Sequence, residues 1–86
     1  MTDTAVIEIE VFTNKAFEGA DIYTYDTYAY TIEEIIQEIK DLVPHYKKII
    51  VVGWEETLNL LLNKNIRLFS NNTNRIILYT PKFQLF

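Results

Sequence analysis

The segment Val52-Gly53-Trp54-Glu55-Glu56-Thr57 is where this chain could carry chemistry, because an apolar strand passes there through a glycine into the first turn of a helix. In open α/β sheets, ligands bind outside the carboxyl ends of the strands, and free helix amides at such a turn attract anions. Composition pulls the other way. Glu55 and Glu56 stand where a phosphate would sit, and a lone glycine is not a phosphate-cradling loop. The segment therefore reads either as a ligand site or as a plain strand-to-helix turn. Trp54, the only tryptophan, is either a stacking platform for a base, worth roughly 1–3 kcal/mol, or a packing residue of core or interface. His45, which follows Pro44, reads as a solvated loop residue at the far end of the central strand from Gly53. Tyr23, Tyr25, Tyr28 and Tyr30 form a stripe of sheet surface and core edge that an interaction surface could also use.

Lys15, Lys64, Arg67, Arg75 and Lys82 fall near expected loops or strand ends, where they could hold phosphates or simply face solvent. No Ser-His-Asp set, catalytic carboxylate pair or nucleotide-binding motif can be assembled. The chain has no cysteine and one histidine, which leaves no thiolate nucleophile or disulfide and argues against a metal site. Catalytic residues, metal and cofactor are all expected to be absent.

A net charge of −4 argues against nonspecific binding to duplex nucleic acid, which depends on neutralising phosphates. With 86 residues, two glycines, two prolines and no linker-like stretch, residues 1–86 read as one domain. A chain of this size buries only roughly 60–65% of its unfolded surface, so pairing into a homodimer is a natural way to extend its core. The 49% hydrophobic content excludes low-hydrophobicity disorder. The first residues lack a basic stretch and no apolar run approaches the roughly 20 residues of a membrane helix, so an intracellular, cytoplasmic protein with no membrane partner is expected.

The elements that would position these residues follow from periodicity. Residues 6–12 alternate, with Ile7, Ile9 and Val11 on one face and Glu8 and Glu10 on a wet one, the pattern of a half-buried strand. Residues 21–30, rich in Tyr and Thr, suit a second strand paired with the first as a hairpin. Thr31 followed by Glu34 is a capping box that opens a helix, with Ile32, Ile35, Ile36, Ile39, Leu42 and Val43 on its apolar stripe and Pro44 as its stop. The β-branched run 49–52 reads as a central strand covered on both faces. Residues 54–63 read as a second helix, with Leu58, Leu61 and Leu62 inward and two acidic residues in the first turn. Residues 66–69 and 75–80 complete the set as strands, and the apolar tail 81–86 should pack on its own sheet or on a partner. The expectation is an α/β (α+β) fold: a small mixed sheet of about five strands in ββαβαββ order with two helices packed on it. Its core would hold Ile35, Ile36, Ile39, Ile50, Val51, Leu58 and Leu61.

Val11-Phe12-Thr13-Asn14 with Ala16-Phe17 resembles the strand running into Thr-Asn-Ala-Phe of the small viral and mobile-element ring nucleases, type III anti-CRISPR proteins that degrade cyclic oligoadenylates. Gly53-Trp54-Glu55-Glu56-Thr57-Leu58-Asn59-Leu60 resembles that family's Gly-His-Asp-Ser-Thr and the apolar helix after it. The resemblance covers about half the chain by loose spacing and implies a ligand site at Asn14, Gly53, Trp54, Thr57 and Lys82. It departs from the family where the catalytic histidine is replaced by Trp54, where serine is replaced by Glu56, and where the glutamate and arginine after the last strand have no counterpart beyond Lys82. Cleavage needs donors that stabilise developing charge, which tryptophan cannot supply. The resemblance thus implies a binding-only sponge ahead of a nuclease.

Two readings follow. The first is a small non-enzymatic interaction or inhibitor module, an anti-defence protein of a phage or mobile element acting on a protein partner. The second is a cyclic oligoadenylate binder working as a symmetric dimer.

Overall fold

The computed structural model describes residues 2–10, 19–70 and 74–80. Four strands, β1 (Thr4–Ile9), β2 (Asp21–Tyr25), β3 (Lys48–Val52) and β4 (Arg75–Tyr79), form one sheet in the order β2-β1-β3-β4. Every pairing is parallel. Among the described residues the sheet is therefore all-parallel and four-stranded, where periodicity suggested a mixed sheet of about five strands. Residues 10–20 separate β1 from β2, a length suited to a parallel crossover and far longer than the two-residue connection of a tight hairpin.

Helix α1 (Ile32–Leu42) links β2 to β3, and α2 (Glu55–Asn63) links β3 to β4. Both connections move across the sheet in the same direction, so crossovers of a common hand set both helices on the same face. The main core confirms this: Ala5, Ile7 and Ile9 of β1 meet Ile35 and Ile39 of α1 and Leu58 and Leu61 of α2. The opposite face carries Val6, Val52, Ile50 and Ala20.

α1 begins as its sequence dictates. The Thr31 hydroxyl accepts from the Glu34 amide at 3.1 Å, and the Glu34 carboxylate accepts from the Thr31 amide at 2.9 Å. Its end passes into a 3-10 helix, Val43–His45, with Pro44 in its first turn. The Asn74 amide then donates to the carbonyls of Val43 (2.8 Å) and Tyr46 (2.7 Å), which ties the start of β4 to the connection entering β3.

Five local expectations are corrected. The second strand stops at Tyr25 because the Asp26 carboxylate accepts from the amides of Tyr28 and Ala29, closing a turn that outcompetes strand pairing. Residues 66–69 form a 3-10 helix, not a strand: Asn65 takes a left-handed conformation (φ 61°) after α2, which inserts Ile66 into the core and leaves Leu68 exposed. Glu8 is fully buried, not wet, because β1 is flanked by strands on both sides and its second face is covered as well. Of the expected core, Ile35, Ile39, Val51, Leu58 and Leu61 are buried, while Ile36 and Ile50 are only half-buried and Leu62, expected inward on α2, is exposed. The strand expected over 6–12 runs instead from Thr4 to Ile9, and the remainder of that range beyond Glu10 lies outside the described residues, as does the tail 81–86.

Candidate functional site

β1 and β3 lie side by side, yet the chain leaves them in opposite directions, toward β2 from β1 and toward β4 from β3. Such a reversal in strand order opens a crevice at the carboxyl ends of the two strands. Its β1 wall is Glu10, held at φ 61°, a left-handed conformation that costs a non-glycine residue about 1 kcal/mol. Two contacts fix it: its amide donates to the Tyr25 carbonyl at 3.0 Å, and its carboxylate accepts from the Thr27 hydroxyl.

The β3 wall is the turn into α2. The Gly53 amide donates to the Tyr79 carbonyl at 3.1 Å, so the turn is anchored to β4. Gly53 is buried, and a Cβ there would lie 3.4 Å from Leu58 Cδ2 and 3.7 Å from the Ile9 carbonyl oxygen, ordinary contact distances. Trp54 caps α2 through its backbone alone, its carbonyl accepting from the Leu58 amide at 2.9 Å. Glu55 and Glu56 fill the first turn, where their charge complements the helix dipole.

Together Glu10, Trp54, Glu55, Glu56, Thr57 and Asn59 line an open cleft of about 480 Å³. Trp54 is 43% exposed. The lining holds three carboxylates, one hydroxyl, one amide and one indole, with no lysine, arginine or histidine among the described residues. A field of that sign favours an ammonium or guanidinium group, and an indole face strengthens such binding. It offers an anion no charged donor. Among the described residues no group of three His, Asp or Glu side chains could hold a metal ion.

Of the residues expected to bind ligand, Trp54 and Thr57 line the cleft, while Gly53 is buried at the end of β3 that leads into it and is not part of the lining. Asn14 and Lys82 lie outside the described residues, as does Lys15. The remaining expected cations sit elsewhere. Lys64 pairs with Glu33 at 3.3 Å, Arg75 lies beside Lys48 at the amino end of the sheet, and Arg67 is exposed on the 3-10 helix. His45 is exposed in the turn leading to the amino end of β3, the far end of that strand from Gly53, as expected. Glu10 and Asn59 were not foreseen. Glu10 looked like one more residue of an alternating strand, and only the strand order, which the sequence does not display, turns it into a wall of the cleft.

A second polar cluster joins β2 to the connections that flank it. The Tyr46 hydroxyl donates to Asp21 at 2.7 Å and therefore accepts, also at 2.7 Å, from the Tyr23 hydroxyl. Those two hydrogen bonds, to Tyr23 first and then Asp21, hold the Tyr46 proton more tightly than in a free phenol. Nearer the carboxyl end, burial and then the Glu38 carboxylate push the Tyr25 hydroxyl up to about 12. The Tyr30 ring meets Tyr25 edge-on at 5.0 Å. The cluster braces the β2 edge against α1 and the entry to β3.

Fold and cleft define a small parallel α/β protein with a crevice at its strand-order reversal. No family model, curated protein or solved structure matches the chain. No helix among the described residues is long and apolar enough to cross a membrane.

Proposed function

We propose that the protein is a small non-enzymatic interaction module that holds a basic segment of a protein partner in the acidic cleft, in the manner of an inhibitor. The observation that carries this reading is the composition of the cleft: Glu10, Glu55 and Glu56 around an exposed Trp54, with no cation in the described lining. Arginine suits it best, because a planar guanidinium can stack on the indole while bonding two carboxylate oxygens. Trp54 reports binding directly, since it is the only tryptophan. Titration with an arginine-rich peptide is expected to give a saturable fluorescence change that Glu55→Gln with Glu56→Gln shifts to higher peptide concentration. No change in the wild type overturns the reading.

The exposed tryptophan at a strand-order reversal supports a second reading, a cyclic oligoadenylate sponge in which a base stacks on Trp54. Quenching by cyclic tetra- or hexa-adenylate, with no response to the peptide, would favour the sponge. Release of linear products would establish an enzyme instead. The anti-defence setting, in a phage or mobile element, rests on the resemblance carried by residues 11–17 and 53–60.

A further inference from the structure

β4 is an edge strand, and its exposed side carries few of the devices that keep edges apart. It contains no proline and no lysine, and its one charge, Arg75, stands at its start. Its main-chain directions are fixed by two hydrogen bonds: the Arg75 amide donates to the Lys47 carbonyl at 2.9 Å, and the Tyr79 carbonyl accepts from the Gly53 amide. Residues 75, 77 and 79 therefore turn their N–H and C=O groups toward β3, and Ile76 and Leu78 turn theirs outward. Among the described residues no strand pairs with that outer side.

We propose that β4 pairs antiparallel with β4 of a second copy, joining two four-stranded sheets into one continuous sheet with Ile77 on the two-fold axis. The register follows from the outward groups. Ile76 and Leu78 of the second copy exchange both N–H···O bonds, and the same exchange occurs on the other side of the axis. Ile77 then faces its own counterpart as a non-hydrogen-bonded pair, the kind in which side chains come closest. Arg75 falls opposite Tyr79 of the second copy on the same sheet face, which sets a cation against an aromatic ring at both ends of the seam. The strand is thus complementary to itself in donors, in apolar contacts and in its terminal pair.

α2 extends the same seam. Lys64 reaches Glu33 on α1, and Leu62, two residues earlier, lies roughly 200° around the helix from it. That turns the 37% exposed Leu62 away from α1 and toward the β4 side. A two-fold axis through Ile77 perpendicular to the sheet places the helices of both copies on one face, with Leu62 of each copy beside the seam.

The test is the mass of the full chain in solution by light scattering. The wild type is expected at twice the 10.2 kDa of the chain. Ile77→Lys and Ile77→Glu are each expected to be monomeric, through like charges meeting on the axis, and their mixture is expected to recover the doubled mass. Recovery by mixing is specific to a register in which residue 77 faces itself. Hydrogen exchange on the wild type gives a readout independent of the variants: the Ile76 and Leu78 amides should exchange more slowly as protein concentration rises. A monomeric wild type, a dimer that either charged variant leaves intact, a mixture that stays monomeric, or exchange at Ile76 and Leu78 that ignores concentration each overturns the proposal.

Discussion

Tyr25 shows how one hydroxyl ties stability to pH. Its folded-state value, about 12, lies above the ordinary 10.0, first through burial and then through Glu38. A proton held more tightly in the folded chain contributes stability in full below pH 10, and that contribution is lost as pH rises toward about 12. The melting temperature should fall across that window, and Tyr25→Phe should make the fall shallower. A wild-type alkaline profile in the variant would place the sensitivity elsewhere, with Tyr46, shifted in the same direction, the next to test. The exposed Lys64–Glu33 pair calls for no comparable expectation, because such pairs contribute little in water. In the cleft, Glu55→Gln with Glu56→Gln should weaken binding of an arginine-rich peptide by about tenfold, on the order of 1.4 kcal/mol. Equal affinity in variant and wild type, measured by Trp54 fluorescence, would remove these carboxylates from recognition.

At the scale of elements, the start of α1 is the feature that sequence and structure share most fully, and it can be tested alone. Thr31→Ala removes the hydroxyl that accepts from the Glu34 amide and should cost about 1 kcal/mol in urea denaturation. On β3 the two faces differ. Ile49 is buried against the helices and Ile50 is half-buried on the opposite face, so Ile49→Ala should cost about 2–5 kcal/mol and Ile50→Ala distinctly less. Equal costs would mean that both faces of β3 are packed alike. These contrasts mark what could be read in advance. Capping chemistry, the apolar stripe of α1 and the β-branched run of β3 are local signals, and each yielded the right element. Sheet direction and strand order depend on pairings between residues far apart, so the alternation of β1 suggested a half-wet hairpin strand while Glu8 is in fact buried in the interior of a parallel sheet. The Gly53–Thr57 turn was legible for the same local reason. Its acidic partner Glu10 was not, since only the β1–β3 adjacency brings it there.

For the whole molecule, charge sets the conditions of partnership. A chain of net charge −4 with a carboxylate-lined cleft should bind a basic peptide more weakly as salt rises, because at 0.15 M exposed charges more than about 8 Å apart are already largely screened. Affinity unchanged between low and high ionic strength would point to the indole and neutral groups as the whole of the contact. The position of β1 has a consequence in time. It is an interior strand, and its register with β3 joins Thr4 to Lys48. β2 and α1 can pair with and cover β1 first, but its second ladder is completed only when β3 docks. Because every ladder joins strands well separated in sequence, refolding should be slow for so small a protein, nearer milliseconds to seconds than microseconds. Until β3 docks, the open edge of β1 is the main exposure of this fold to misassembly.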